Sequence, residues 1–125
     1  MKIRAHHLLC LLHFEGKGYS EEFIKNMQML KERLEKGEIF ELIASPDDIC
    51  SKCPYLLNET CSKGEDEIKR KDLRIIEYLN LRESAEYNFL HLKEAILRKI
   101  KRNIFKELCK DCSWFYLCVN KNIFI

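Results

Sequence analysis

Apolar residues recur along this chain mostly with the spacing of helices. Phe23, Met27, Leu30 and Leu34 fall at i, i+4, i+7 and i+11, which is one face of a helix. Ser20 precedes that face as an N-cap, Glu21 and Glu22 suit the positive end of the helix, and Gly37 marks its close. The face reads as core. Ile68, Leu73, Ile76 and Leu79 predict a second helix after a polar loop around Gly64. Phe89, Leu92, Ile96 and Ile100 predict the longest one, about residues 84–102, after a break between Asn80 and Ser84. Arg4 to Phe14 reads as a helix, or as a short strand turning into one, and Gly16 and Gly18 then break the chain. Ile39 to Ala44 is short and apolar. It reads as a strand paired with the extreme N-terminus, or else as a helix turn. Ser45-Pro46-Asp47-Asp48 has the form of a helix start, with a cap, a proline in the first turn and acids beside it. The pattern predicts a mainly α, small single-domain fold over residues 1–125, with at most a short β-hairpin.

Composition supports this picture. Of 125 residues, 46% are hydrophobic and 34% charged, the balance of a folded core rather than a disordered chain. With four Gly and two Pro, long flexible linkers are not expected. The net charge of +2 argues against a nucleic-acid binder, although Arg98, Lys99, Lys101, Arg102, Lys106 and Lys110 form a basic run. That run reads as a solvated helix face. Lys2 and Arg4 precede an apolar stretch as in an export signal. His6, His7 and His13 interrupt the pattern, and no small-residue cleavage site follows. No apolar run approaches the roughly 20 residues needed to span a bilayer. The expected location is cytoplasmic, where thiols stay reduced.

The cysteines carry the chemistry. Six of the seven form two triplets, Cys50-x2-Cys53-x7-Cys61 and Cys109-x2-Cys112-x5-Cys118. A C-x2-C turn can aim two sulfurs at one point while its amides stabilise their negative charge. Buried free thiols, disulfides and a thioredoxin-like redox pair are weaker explanations. The spacing repeats, an export signal is not expected, and no βαβ pattern surrounds the pairs. The expectation is that both triplets converge on one metal site, with Cys50, Cys53, Cys61, Cys109, Cys112 and Cys118 as candidate ligands. A zinc ribbon on Cys50, Cys53, Cys109 and Cys112 fits poorly, because ribbon pairs lie about 15–20 residues apart. A zinc site joining distant elements stays open. An iron–sulfur cluster takes thiolates from distant segments, and Cys53-Pro54 echoes the Cys-Pro of ferredoxins. Lys52, Lys63 and Lys110 could offset its charge. The cysteine count favours the cluster over a single ion.

On a helix, His6, Cys10 and His13 share one face. Cys10 and His6 are therefore candidate cofactor-binding residues, with His7 on a different face and able to hydrogen-bond a ligating sulfur. His91 has no recognisable partner. Trp114, Phe115 and Tyr116 lie within the second triplet, where they pack in the core or wrap the site.

Several of these residues together resemble a known family. Arg4-Ala5-His6-His7-Leu8-Leu9-Cys10, Gly16-Lys17-Gly18-Tyr19-Ser20, Pro46-Asp47-Asp48-Ile49-Cys50 with Cys53-Pro54, and Cys109-x2-Cys112-x-Trp114-x3-Cys118 carry the likeness. The family is a small uncharacterised prokaryotic domain of unknown function, often labelled iron–sulfur-binding, whose members are about this length. The resemblance implies that His6, His7, Cys10, Gly16, Gly18, Tyr19, Asp47 and Asp48 belong to its pattern. It names no substrate.

The expected function is an iron–sulfur protein that carries electrons or senses redox state for a protein partner. The alternatives are a structural zinc protein acting as a protein or nucleic-acid interaction module, and a catalytic metalloprotein with an open coordination position near Cys10 or a histidine. No Ser–His–Asp arrangement, carboxylate pair or P-loop supports hydrolase or transferase chemistry.

Overall fold

A computed structural model describes residues 1–112, 114–121 and 123–124. The fold is mostly helical and is built on a small mixed sheet. The N-terminal strand β1 (Lys2–Arg4) runs directly into helix α1 (Ala5–His13). Helix α2 (Glu21–Glu35) returns to strand β2 (Ile39–Ile43), and a 3-10 turn (Cys50–Lys52) comes next. Beyond it lie the two-residue strands β3 (Leu56–Leu57) and β4 (Thr60–Cys61), and helix α3 (Glu65–Tyr78). Strand β5 (Glu86–Asn88) leads into helix α4 (Phe89–Lys99). Helices α5 (Arg102–Cys109) and α6 (Phe115–Cys118) carry the second cysteine group.

The sheet order is β1-β2-β5. β1 and β2 are parallel, with Ile3 opposite Leu42, and β2 and β5 are antiparallel, with Phe40 opposite Tyr87. The apolar segment after Gly37 is thus a strand paired with the N-terminus. A separate hairpin joins β3 to β4 through Asn58 and Glu59, both in the left-handed region (φ 50° and 65°). Positive φ at both central residues matches the twist of a two-residue hairpin turn.

The α2 face Phe23, Met27, Leu30 and Leu34 is buried, and Ser20 Oγ accepts from the Phe23 amide at 3.1 Å as the cap. Phe89, Leu92, Ile96 and Ile100 are buried as well. Their helix begins five residues later than the sequence predicts, because Glu86 to Asn88 pair with β2 instead. Asn88 Oδ1 then accepts from the Leu90 amide at 2.9 Å and starts the helix there. Ser45 to Asp48 opens only the short 3-10 turn; Asp47 Oδ1 accepts from the Cys50 amide at 2.9 Å. On α3 the inward face is rotated from the expected one. Leu73 is 41% exposed, while Asp72 is fully buried beside Ile75 and Ile76. Gly18 is hemmed in: an added Cβ would lie 2.5 Å from Phe23 Cδ1, so even alanine requires the ring to move.

Candidate metal centre

A cavity of about 350 Å³ opens between α1, the start of α3 and the α5–α6 corner. Four thiols line it: Cys10 from α1, Cys109 from the end of α5, Cys112 from the adjoining turn and Cys118 from the end of α6. The turn forms because the Cys112 amide donates to the Cys109 carbonyl at 2.9 Å. The Cys118 amide donates to the Trp114 carbonyl at 3.2 Å, which folds the third cysteine back toward the pair.

The first C-x2-C turn closes in the same way, with the Cys53 amide on the Cys50 carbonyl at 2.9 Å. Yet Cys50, Cys53 and Cys61 do not line the cavity. Cys61 stands opposite Leu56 in the hairpin, and Cys53, whose pKa is raised first by burial and further by Cys61, lies near it. Cys50 packs instead against Asp47 and His7. The structure therefore groups the second triplet with Cys10 and places the first triplet elsewhere. All seven cysteines are free thiols.

Electrostatics tie the four cavity thiols to one another. Burial raises the Cys10 pKa well above its ordinary value, and repulsion from Cys112, Cys109 and Cys118 raises it further, against the pull of Lys71. Burial pushes the Cys109 thiol up to about 12, with Lys71 opposing and Cys112 and Cys118 adding to the rise. Cys118 is raised by burial and then by Cys112. Such thiols are protonated near neutral pH unless a cation replaces the protons, so metal binding here releases protons and strengthens as pH rises.

The donor set suits a soft metal or a cluster. A single tetrahedral zinc at about 2.3 Å from each sulfur places sulfurs roughly 3.8 Å apart. Among the described residues, the one group of three or more ligand atoms all within 4.8 Å is His7, Asp47 and Cys50, so no three of the cavity thiols are that close. A 4Fe–4S cluster, which gives each cysteine sulfur its own iron, suits the wider spacing. Trp114 Nε1, in the cavity wall, is buried and lacks a partner among the described residues. An N–H of this kind can donate to a ligating sulfur.

The cavity is also lined by His6 and His7, which sit on a network that the sequence did not predict. Asp72 Oδ1 meets His6 Nδ1 at 2.8 Å and accepts from the His6 amide at 2.8 Å, while its Oδ2 accepts from Arg4 Nε at 2.7 Å. Arg4 also pairs with Glu65 through both terminal nitrogens, at 3.2 and 2.7 Å. Asp47 Oδ2 meets His7 Nδ1 at 2.8 Å and accepts from the Arg4 amide at 2.7 Å. The two carboxylates thus cap a helix, α1, that has no acid in its own first turn. Burial alone would raise the Asp47 pKa; His7 and the amides of Arg4 and Cys50 outweigh it and hold the carboxyl at about 2. Its lone pairs are already taken within this network, so the compact His7, Asp47 and Cys50 group reads as hydrogen bonding and not as a cation site. His13 Nδ1 meets the Leu9 carbonyl at 2.8 Å and its ring stacks on Phe105, so it is a core residue at the cavity edge. His91 is exposed. Phe115 packs on Phe105, and Tyr116 is exposed.

Burial lowers the His6 pKa to about 4, helped by its neighbours His7 and Arg4 and opposed by Asp72. A histidine that binds its proton less tightly when folded contributes stability above its unfolded pKa of about 6.5. That contribution falls as pH drops from there toward 4. Thermal unfolding followed by circular dichroism is expected to show Tm declining below about pH 6.5, and H6Q is expected to flatten this first decline. A wild-type Tm constant from pH 7 to pH 4.5 would contradict the assignment.

A family model described as "Protein of unknown function (DUF1284)" matches residues 18–118. The match contains both cysteine triplets and begins after α1, which carries His6, His7 and Cys10. No curated protein and no solved structure matches this chain.

Proposed function

Since this chain belongs to the DUF1284 family, whose description assigns no activity, its role is argued from the cavity, and we propose that it is an iron–sulfur protein with Cys10, Cys109, Cys112 and Cys118 as ligands. The observation that carries the reading is the gathering of these four thiols, from two distant segments of the chain, around one cavity. No three of them lie within 4.8 Å of one another, whereas a single tetrahedral ion needs all four sulfurs roughly 3.8 Å apart. Such a cluster supplies one-electron chemistry at a potential set by its surroundings. The chain's own residues would do the tuning. Lys71 lies near Cys10 and Cys109, and Lys121 near Cys118, where their charges offset those of the thiolates. Trp114 offers its N–H, and Phe14 and Phe23 line the walls as apolar surface.

The role proposed is electron transfer or redox sensing with a protein partner. Free thiols throughout support a reducing compartment, for which the cytoplasm is our choice. Among the described residues no helix is long and apolar enough to cross a membrane.

Oxygen-free purification followed by iron and acid-labile sulfide analysis tests the reading. Brown protein with iron and sulfide in comparable amounts, bleached by dithionite, is expected. Four thiols are also the donor set of structural zinc. Colourless protein containing zinc and no sulfide would replace the cluster with a structural zinc module.

A further inference from the structure

The cluster reading leaves His6 and His7 without a task, although the fold invests two buried carboxylates in holding them. Asp47 and Asp72 side chains are almost wholly buried, and each bonds the Nδ1 edge of one ring at 2.8 Å. Capping α1 does not account for the rings. The amides of Arg4, His6 and Cys50 occupy the carboxylates without any imidazole. Bonding at Nδ1 fixes the tautomer with its proton on that nitrogen, and leaves Nε2 with a free lone pair. Among the described residues neither Nε2 has a hydrogen-bond partner, and both rings line the cavity. A metal-ligating histidine almost always has this arrangement, with its second nitrogen on a carboxylate.

The spacing of the rings agrees. Two imidazoles bound through Nε2 to one ion at about 2.1 Å have centroids about 4.5 Å apart at the right angle of an octahedral ion and about 5.3 Å apart at the tetrahedral angle of zinc. The His6 and His7 centroids are 4.3 Å apart, with the rings tilted by 53°. Arg4 lies behind them, but its charge is taken up by Glu65 and Asp72.

We propose that His6 and His7 bind one divalent transition-metal ion of borderline softness, zinc or ferrous iron, through their Nε2 atoms. This site uses none of the four thiols, shares their cavity and keeps its remaining coordination positions open to it. An ion held by two imidazoles accepts a further ligand from solvent, which makes the position one for a small exogenous donor such as water or a carboxylate.

Zinc is the probe. Full-length protein prepared without oxygen is incubated with zinc, desalted, and analysed for metals and by zinc K-edge absorption. Wild type is expected to hold about one zinc per chain more than the H6Q/H7Q double variant, and the histidine-dependent ion to show nitrogen neighbours at about 2.0–2.1 Å. The single variants H6Q and H7Q are each expected to bind zinc at least roughly ten-fold more weakly; they carry the test if the double variant does not fold. Equal zinc in wild type and variants, or sulfur neighbours at about 2.3 Å around the histidine-dependent ion, would overturn the proposal. Iron and sulfide are measured on the same samples. Their absence removes the cluster reading and leaves this one standing, because its readout is the zinc that the histidines control.

Discussion

Replacing Asp72 with alanine is expected to destabilise the fold by about 3–5 kcal/mol, the cost of leaving a buried charge without its partner. The Arg4 side chain is 1% exposed and Asp72 is fully buried. Without the carboxylate, Arg4 Nε loses its 2.7 Å acceptor and keeps only Glu65, itself partly open to solvent. The His6 amide and Nδ1 lose theirs in the same step. For a domain of this size the loss corresponds to a fall in Tm of roughly 10–20 °C. The exposed pair Arg74–Glu107 has nearly the same length, 2.8 Å, with each partner about half exposed. Glu107→Ala should therefore cost less than about 1 kcal/mol, since solvent already screens that pair. Denaturant unfolding of both variants makes the comparison. Equal midpoints for Asp72→Ala and Glu107→Ala would mean that the Arg4 network contributes no more than a surface pair.

The same residue marks where reading the sequence falls short. The α2 and α4 faces follow from periodicity because every position at helical spacing is apolar and nothing competes for it. Residues 39–44 read as a strand paired with the N-terminus or as a helix turn; the strand forms at Ile39–Ile43, and Glu41 to Ile43 pair with Lys2 to Arg4. On α3 the periodic reading takes Leu73 inward and gives Asp72 no place on the inner face. In the structure Leu73 is exposed and Asp72 is buried, because β1 delivers a guanidinium to that place, and a buried arginine requires a carboxylate partner. A carboxylate four residues after Ile68 and three before Ile75, in an apolar row, is the one local hint. Local pattern likewise carries Glu86 to Asn88 into a helix; only the edge of β2, remote in sequence, draws them into the sheet.

The candidate site was legible in part. The i, i+4 relation of His6 and Cys10 and the spacing of Cys109, Cys112 and Cys118 identify residues that do share a cavity. Similar spacing in the first triplet suggests a shared destination, but spacing fixes only the local turn. Both C-x2-C turns close with the same 2.9 Å hydrogen bond. The location of each turn is set by the next element in the chain, the β3–β4 hairpin in one case and helix α6 in the other. The role of Asp47 and Asp72 in orienting the histidines depends on segments some 40 and 66 residues distant, which no local pattern reveals.

That division yields the sharpest test of the ligand set. Cys109→Ser and Cys112→Ser are expected to lower iron and sulfide per chain by at least roughly ten-fold, because serine is a hard donor that holds a cluster poorly and these residues would ligate it directly. Cys10→Ser should do the same, although it comes from another helix. Cys53→Ser and Cys61→Ser should leave the iron content unchanged, since neither lines the cavity. Folding is checked by far-ultraviolet circular dichroism, so that loss of iron is not confused with loss of structure. Retention of iron in Cys10→Ser and Cys112→Ser alike would remove the proposed site. Equal loss in the Cys53 and Cys61 variants would show instead that the hairpin moves to the cavity when the metal is present, and that both triplets ligate it. The two outcomes differ in which residues matter, because serine at position 53 or 61 can affect the iron only if the chain rearranges to bring that side chain to it.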